Sequence, residues 1–374
     1  MHPLDELSLS GAIAAPTSLR RRRFGAFLLR LIRGGDLMSR LMGRMLAATL
    51  AAGLALSAGA AVAAPVGKLK QFKVPTANSQ PRDITNGSDG NRWFTEGTEF
   101  TGAPAKIGRI TPAGVITEFA PDVADGCNFC ILTDIQGSQG NIVYITSNNA
   151  ELMRFNVVTQ SFEAPVAMPD SGALAGQLAV HGDQVWITDF NNDVIWRYNS
   201  TTGAFTSFPA SNPSDIAVDA AGNAWFTETQ ANEDLSTNIA RIDAATGTVT
   251  RTVTATAARA ITVSPSDGKV WFAARFPSGS AGQAVGFLDP ADNNNVTVFP
   301  VADTGPAGIA AAPDGTIWFT QETKGNIASV TNTGVITEGK AVKGSQPAGI
   351  TVAADSDPWY AMPGANKIAT LQLP

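Results

Sequence analysis

The sequence predicts an all-β protein, a seven-bladed β-propeller of four-stranded antiparallel blades whose ring is closed by an N-terminal strand. Three observations support this fold. A unit repeats about every 40 to 50 residues, short alternating runs are separated by Gly-, Asp- and Asn-rich turns, and the last unit is one run short. No long stretch after residue 65 has the apolar period and caps of a helix.

One phrase identifies the repeat. DGNRWFTE at 89–96 returns as AGNAWFTE at 221–228 and DGTIWFTQ at 314–321. The aromatic residue after each turn recurs at intervals of 39 to 51 residues, as Trp93, Tyr144, Trp186, Trp225, Trp271, Trp318 and Trp359. A full unit holds four runs, SDIAVDA, NAWFTET, NIARIDA and TVTRTVT, and four strands make one propeller blade.

The two ends of the repeat region predict how the ring closes. The seventh unit stops at Pro374 after three runs, and GKLKQFKVP (67–75) precedes the first unit. We expect this orphan strand to complete the last blade, because closure leaves no long exposed edge.

The first 64 residues have the pattern of an N-terminal extension and a secretory signal. In MSRLMGRMLAATLAAGLALSAGAAVAAP (38–65), Arg40 and Arg44 precede an apolar run that ends before a small-residue cleavage site at 61–63. A membrane anchor fits less well, since the run is short and rich in Ala and Gly. We therefore expect Met38 as the true start, removal of residues 1–64, a propeller domain at 65–374 without a membrane span, and a periplasmic or secreted location.

The charge balance limits the partners. Residues 65–374 contain 18 basic and 29 acidic residues. A nucleic acid or an anionic membrane would require a basic face, so neither is expected as a partner.

The only two cysteines, Cys127 and Cys130, lie in GCNFCI. In an exported protein, a local disulfide that stiffens a loop is the favoured interpretation over a redox pair, because no βαβ context surrounds the motif.

Propeller topology predicts which residues meet. If strands A to D run outward from the channel, the A–B and C–D turns lie on a lower face. The starts of the A strands and the ends of the B strands then lie on an upper face. Six acids are expected to gather there, with Arg82 and Arg259 as the nearby cations: Asp83, Glu96, Asp134, Asp189, Asp215 and Glu228.

These residues have predicted roles. Asp83, Asp134 and Asp215 are candidate ligands for Mg²⁺ or Ca²⁺, since both ions take oxygen ligands. Glu228 and Glu96 are candidate catalytic bases, and Arg82, Arg259 and Asp189 are candidate ligand-binding residues. The open alternative is that the acids pair with arginines, accept backbone N–H groups, or are simply solvated.

The segments QPRDITNGSDGNRWFTE (80–96), KIGRITPAGVITEF (106–119) and GPAGIAAAPDGTIWFTQETKGNIASVTNTGVITE (305–338) resemble the virginiamycin B lyase, or streptogramin lyase, family. The resemblance implies a seven-bladed propeller whose upper face holds Mg²⁺ with histidine and glutamate and opens a cyclic depsipeptide at its ester by elimination. The family's histidines stand at the starts of the A strands, where this sequence has Arg82, Thr133, Leu178, Ser214, Arg259, Ala307 and Ala348.

Two hypotheses for the function follow. The favoured one is a propeller that binds a small molecule or a protein at its upper face, because none of the matching positions is histidine. His181, the one histidine of 65–374, falls in an A–B turn on the lower face. The alternative is a metal-dependent lyase or a lactone-opening hydrolase that uses the upper-face carboxylates.

Overall fold

The inner strands of seven sheets form a ring in which each inner strand contacts both of its neighbours. The structure, a computed structural model, describes residues 62–63, 67–97, 105–122, 130–138, 140–228, 237–254, 257–274, 283–301 and 304–374. The predicted all-β, seven-bladed fold is confirmed, with antiparallel blades of four strands.

The strands follow the predicted order from the channel outward, A to D. Blade 1 contains β3 (Ile84–Asn86), β4 (Arg92–Glu96), β5 (Lys106–Ile110) and β6 (Ile116–Phe119). Blade 2 contains β7 (Leu132–Gly137), β8 (Ile142–Ser147), β9 (Glu151–Asn156) and β10 (Ser161–Ala167). Blade 3 contains β11 (Ala175–His181), β12 (Gln184–Asp189), β13 (Val194–Asn199) and β14 (Phe205–Pro209). Blade 4 contains β15 (Pro213–Val218), β16 (Ala224–Glu228), β17 (Thr237–Ile242) and β18 (Val249–Thr254).

The remaining blades include the first two strands of the chain. Blade 5 contains β19 (Ala258–Val263), β20 (Val270–Ala274), β21 (Ala284–Asp289) and β22 (Asn295–Pro300). Blade 6 contains β23 (Pro306–Ala311), β24 (Ile317–Gln321), β25 (Asn326–Val330) and β26 (Ile336–Glu338), with β1 (Val62–Ala63) as a fifth, parallel strand. Blade 7 contains β27 (Ile350–Val352), β28 (Pro358–Met362), a short 3₁₀ turn (Pro363–Ala365), β29 (Lys367–Gln372) and β2 (Lys68–Lys73).

Strand β2 closes the ring as the sequence predicted. It pairs antiparallel with β29 along its whole length, from Lys68 opposite Gln372 to Lys73 opposite Lys367. The outer strand of blade 7 therefore comes from the opposite end of the chain to its other three strands. Blade 6 differs from the expectation of four strands, because Val62 and Ala63 pair with the open edge of β26.

The predicted signal segment lies outside the described residues apart from Val62 and Ala63, so its removal stays a prediction. In the part of the chain that the structure describes, no helix is long and apolar enough to cross a membrane.

The core consists of clusters shared between neighbouring blades. Trp93 of blade 1 packs with Ile135, Val143 and Phe155 of blade 2, and its ring centroid lies 5.0 Å from that of Phe155. Trp93, Trp186 and Trp271 are completely buried. Each of these indoles therefore fills the gap between its own blade and a neighbour.

A phenylalanine of the outer strand packs beneath the next blade at several seams. Phe72 of β2 stacks on Trp359 with a centroid distance of 5.7 Å, and its other side meets Gly114 in the C–D turn of blade 1. Phe299 and Gly334 repeat this contact between blades 5 and 6. A Cβ on either glycine would overlap the aromatic ring, so these turns require glycine.

The threonine of the repeated phrase shapes the start of the inner strand in several blades. The hydroxyls of Thr95, Thr188 and Thr227 accept the backbone N–H groups of Asp83, Gln177 and Asp215 at 3.1, 2.8 and 3.0 Å. The A–B register of blades 3 and 4 shifts there, at Ala175/Leu178 and Pro213/Ile216. Such a bulge redirects side chains, and here it determines which residues face the channel.

The connection from β2 to blade 1 is held by a compact polar cluster. Thr76 donates its N–H and its hydroxyl to the Glu118 carboxylate at 2.8 and 2.7 Å, and the Lys106 ammonium lies 2.8 Å from the same carboxylate. Asn366 of blade 7 accepts the Ser79 hydroxyl at 3.1 Å. These bonds connect both ends of the propeller to blade 1.

Glu96 lies beneath this cluster. It is 1% exposed, and neither carboxylate oxygen has a hydrogen bond of good geometry. Burial raises the pKa of Glu96 to about 7. The nearby Glu118 carboxylate adds to the rise, while the Ser79 hydroxyl and the Lys106 ammonium offset part of it.

Gly114→Ala is expected to weaken ring closure. The added Cβ meets the Phe72 ring at a backbone φ of +89°, so strain and overpacking combine to cost about 2–4 kcal/mol. Gly203→Ala is the matched control, because Gly203 has a φ of +74° with no atom near its Cβ, and it should cost about 1 kcal/mol. Urea unfolding measures both values, and equal losses would refute the closure contact.

Glu96→Gln is expected to stabilise the protein above neutral pH. The folded-state pKa is raised, so the unfolded chain ionises first and stability falls as pH rises from about 4.5 to 7. The variant avoids this loss, and its advantage should grow from near zero at pH 4.5 to the order of 2 kcal/mol at pH 8. Glu228→Gln serves as the contrast and should destabilise at pH 8, because Arg251 loses its partner. An advantage for Glu96→Gln that does not change with pH in chemical unfolding would disprove the interpretation.

Candidate functional site

The inner strands of all seven blades surround a central channel. Its cavity has a volume of about 910 Å³. We call the end at which the inner strands begin the upper end. The side chains that line the cavity there include Arg82, Asp83, Thr133, Gln177, Ser214, Asp215 and Arg259.

Two of the predicted metal ligands join neighbouring blades through backbone amides. Asp134 accepts the N–H of Ile135 at 2.6 Å and that of Leu178, in the next blade, at 2.5 Å. Asp215 repeats this pattern with Ile216 and Ile261, both at 2.8 Å. Each carboxylate therefore connects the inner strands of two blades with both of its oxygens.

The environment of these two carboxyl groups raises the pKa of each. Burial raises the pKa of Asp134 well above its ordinary range, and the adjacent Asp83 carboxylate raises it further. Burial also raises the pKa of Asp215 to about 7, although the two amide donors oppose the rise. Asp83 contacts Asp134, accepts the Ile84 N–H at 2.8 Å and lines the cavity.

This geometry does not fit a bound divalent cation. Both oxygens of Asp134 and of Asp215 already accept backbone N–H groups, and Asp134 does not line the cavity. No group of three or more His, Cys, Asp or Glu side chains is arranged to hold a metal anywhere in the described ranges. Of the alternatives that the sequence left open, acceptance of backbone N–H groups is the one that the structure shows for Asp134 and Asp215.

The acids at the ends of the B strands lie apart from the channel, contrary to the expectation that they share one mouth. Glu228 is 1% exposed and receives Arg251 at 2.8 Å through Nε and 2.9 Å through Nη2. Asp189 is fully buried and accepts the Trp196 indole N–H at 3.0 Å and the Asn192 amide at 2.8 Å. Because Glu96 is also buried inside its blade, none of these three predicted site residues lines the cavity.

The two predicted cations are placed differently from these acids. Arg82 and Arg259 are both exposed, and both line the upper end of the channel. They occupy corresponding positions in the inner strands of blades 1 and 5. This position is one residue before the one that Asp83 holds in blade 1 and Asp215 holds in blade 4. The structure therefore brings Arg82, Arg259, Asp83 and Asp215 to one cavity.

The alignment that gives Leu178 the position of Arg82 is wrong, and Gln177 is the channel residue beside it. The bond from Leu178 N–H to Asp134 aligns Leu178 with Ile135 and Ile261, so Gln177 corresponds to Asp134 and Gly176 to Arg82. The signal was present in the sequence, because aligning the buried aliphatic residue of each inner strand gives this register.

The other two predicted features are located as follows. His181 ends β11 at the A–B turn, as predicted, and lines a second cavity of about 820 Å³ on the lower face. Cys130 is buried, whereas Cys127 lies outside the described residues, so the Cys127–Cys130 disulfide stays a prediction.

Comparison with known proteins adds evidence on ancestry. The model of the virginiamycin B lyase family matches residues 61–246 and 233–373. A virginiamycin B lyase from Nocardia farcinica (strain IFM 10152) is 29% identical over 179 residues, which are 46% of this chain and 57% of that protein. The match therefore spans little more than half of the relative's length.

Solved structures share the fold. A streptogramin B lyase structure has a TM-score of 0.68 and 23% identity, and the match covers 83% of this chain and 98% of that one. Virginiamycin B lyase from Staphylococcus aureus has a TM-score of 0.68 and 22% identity, with 82% and 99% covered. A catalytically inactive variant of that lyase, solved with quinupristin, has a TM-score of 0.66 and 21% identity, with 82% and 99% covered.

At these identities the structures establish a common architecture and nothing about chemistry. The family model, in contrast, covers nearly all of the described propeller. The chain belongs to the virginiamycin B lyase family.

Proposed function

We propose that this protein is a ligand-binding propeller whose site is the upper end of the central channel. The observation that carries the proposal is the cavity of about 910 Å³ together with the exposed polar side chains at its rim. This volume is in the range of small-molecule sites. Apart from Arg82 and Arg259, few side chains at the rim are large enough to fill the cavity. The partner is accordingly a small molecule in preference to a protein.

Absence of the family's histidines argues against streptogramin turnover. The elimination requires a base for the α-proton and a cation for the developing enolate. The sequence contains two histidines, and the one within the propeller, His181, ends a lower-face turn. The buried acids Glu96 and Glu228 lie outside the channel, so neither is placed to replace imidazole on a ligand held there.

An enzyme that uses channel carboxylates is the second candidate. Asp215 lines the cavity, and its pKa of about 7 is suited to general acid or base catalysis of a lactone opening or an elimination. Its two amide bonds hold it against the channel wall, which favours a structural role. Calorimetry with Mg²⁺ and Ca²⁺ on wild type and on Asp215→Asn decides this point, since tight binding that the variant loses would favour the metal enzyme.

We further infer that the protein acts in the periplasm or outside the cell. The support is the secretory pattern at residues 38–64. Cell fractionation combined with N-terminal sequencing tests this inference, and a cytoplasmic protein with an intact N-terminus would refute it.

Filling the channel is expected to abolish ligand binding. Ala348 lines the cavity, so Ala348→Trp places an indole in the space that a ligand needs. A thermal-shift screen of a metabolite collection should find compounds that raise the Tm of wild type and not that of the variant. Circular dichroism checks that the variant is folded. If no compound shows such a channel-dependent shift, or if every shift persists in Ala348→Trp, the proposal fails.

Quinupristin is expected to remain intact in the presence of this protein. Incubation with excess Mg²⁺, followed by mass spectrometry, should show no ring-opened product, because no histidine of the described ranges lines the channel. The Staphylococcus aureus lyase is the positive control. Ring opening that depends on Mg²⁺ and on Asp215 would instead establish the carboxylate enzyme.

A further inference from the structure

Two guanidinium groups at the upper end of the channel have no partner, unlike the other arginines that the structure describes. Arg154, Arg241 and Arg251 form ion pairs, and Arg92, Arg109 and Arg197 lie over aromatic rings. Arg82 and Arg259 make no ion pair, side-chain hydrogen bond or ring contact with described residues, and both face the cavity. The two described guanidinium groups without such partners therefore both lie at the upper end of the channel.

The space between these two arginines is open. Blades 6 and 7 separate blade 5, which carries Arg259, from blade 1, which carries Arg82. At the corresponding positions blades 6 and 7 have Ala307 and Ala348, whose side chains end at Cβ and line the cavity. The ring thus leaves a gap two blades wide, with a guanidinium on each side.

The neighbouring acids Asp134 and Asp215 do not form ion pairs with these two arginines. Asp134 and Asp215 belong to blades 2 and 4 and bond to backbone N–H groups. The connection from blade 6 to blade 7 adds Lys340 and Lys343, both exposed and without an ion pair to any described residue. Arg259, the two lysines and Arg82 therefore place positive charge from blade 5 through blade 7 to blade 1, and among the described residues Asp83 and Asp215 are the carboxylates that line the same cavity.

We propose that the upper end of the channel binds a small organic anion with two acidic groups, one held by Arg82 and the other by Arg259. This inference rests on the proposed function and names its ligand class. A guanidinium binds a carboxylate, sulfate or phosphate through two parallel hydrogen bonds, which gives both affinity and orientation. The small side chains of Ala307 and Ala348 accommodate the body of the ligand between the two charged ends.

Straight-chain dicarboxylates of increasing length are suitable probes, with butyrate as the single-charge control. Isothermal calorimetry at low salt should show that the dicarboxylates bind more tightly than butyrate, with an optimum length at which both arginines are reached. Raising the salt concentration should weaken binding, because the charges lie at an accessible rim.

Arg82→Gln and Arg259→Gln should each weaken the best dicarboxylate by about 10-fold to 100-fold, the loss expected for one charge-assisted contact. Arg259→Lys should keep part of the affinity, since it retains the charge and loses the paired geometry. Arg241→Gln is the matched control, because Arg241 lies on the lower face beside Asp243, and it should leave the affinity unchanged within about twofold.

Three outcomes would overturn the inference. In the first, wild type binds no dicarboxylate although other compounds show channel-dependent shifts. The proposed function would then stand, and the ligand class would be wrong. In the second, both glutamine variants, or Ala348→Trp, bind the dicarboxylate as tightly as wild type. The anion would then bind elsewhere. If neither dicarboxylates nor any screened compound binds in a channel-dependent way, the proposed function fails as well.

Discussion

The packing of one blade against the next is the constraint on which the rest of this structure depends. Trp93, Trp186 and Trp271 are buried between blades, so a single blade would expose a large aromatic surface if it stood alone. The blades are therefore stable only as a ring, and the ring exists only if the seventh blade meets the first. Strand β2 provides that closure, and the contacts of Phe72, Thr76 and Asn366 hold it in place. The channel is a consequence, because seven inner strands in a closed ring leave a cavity at the centre.

The sequence predicted the architecture well because the packing requirement repeats. An indole at an interval of one blade, a glycine turn and a short alternating strand are local signals, and they gave the number of blades, the closing strand and the turn position of His181. The side-chain partners in the site were not predictable in the same way. Glu228 is neutralised by Arg251, which lies 23 residues further along the chain, and Asp134 bonds to an amide 44 residues away. No local pattern identifies such partners, since backbone N–H groups are present at every position and become available only where a bulge redirects them.

Equivalent positions show how one scaffold holds different chemistry. Glu96 and Glu228 end corresponding strands. Glu96 faces Glu118, whereas Glu228 faces Arg251 at the equivalent position. Glu96 is a buried carboxyl group without a hydrogen bond of good geometry, whereas Glu228 forms a salt bridge. The starts of the inner strands vary in the same way, from Arg82 and Arg259 to Ala307 and Ala348. Membership of the virginiamycin B lyase family therefore determines the fold of this protein, whereas the residues of each blade determine the charge of their part of the channel.

The position of β2 also constrains the order of events during synthesis. This strand is synthesised before the strands of any blade that follows it, whereas its partner β29 spans Lys367–Gln372. The closing pair has a sequence separation of about 300 residues, so it forms only after the strands of all seven blades have been synthesised. Until then the first blade lacks one neighbour and the nascent propeller has two open sides. Loss of β29 would remove the strand with which β2 pairs, so β2 would be released with it.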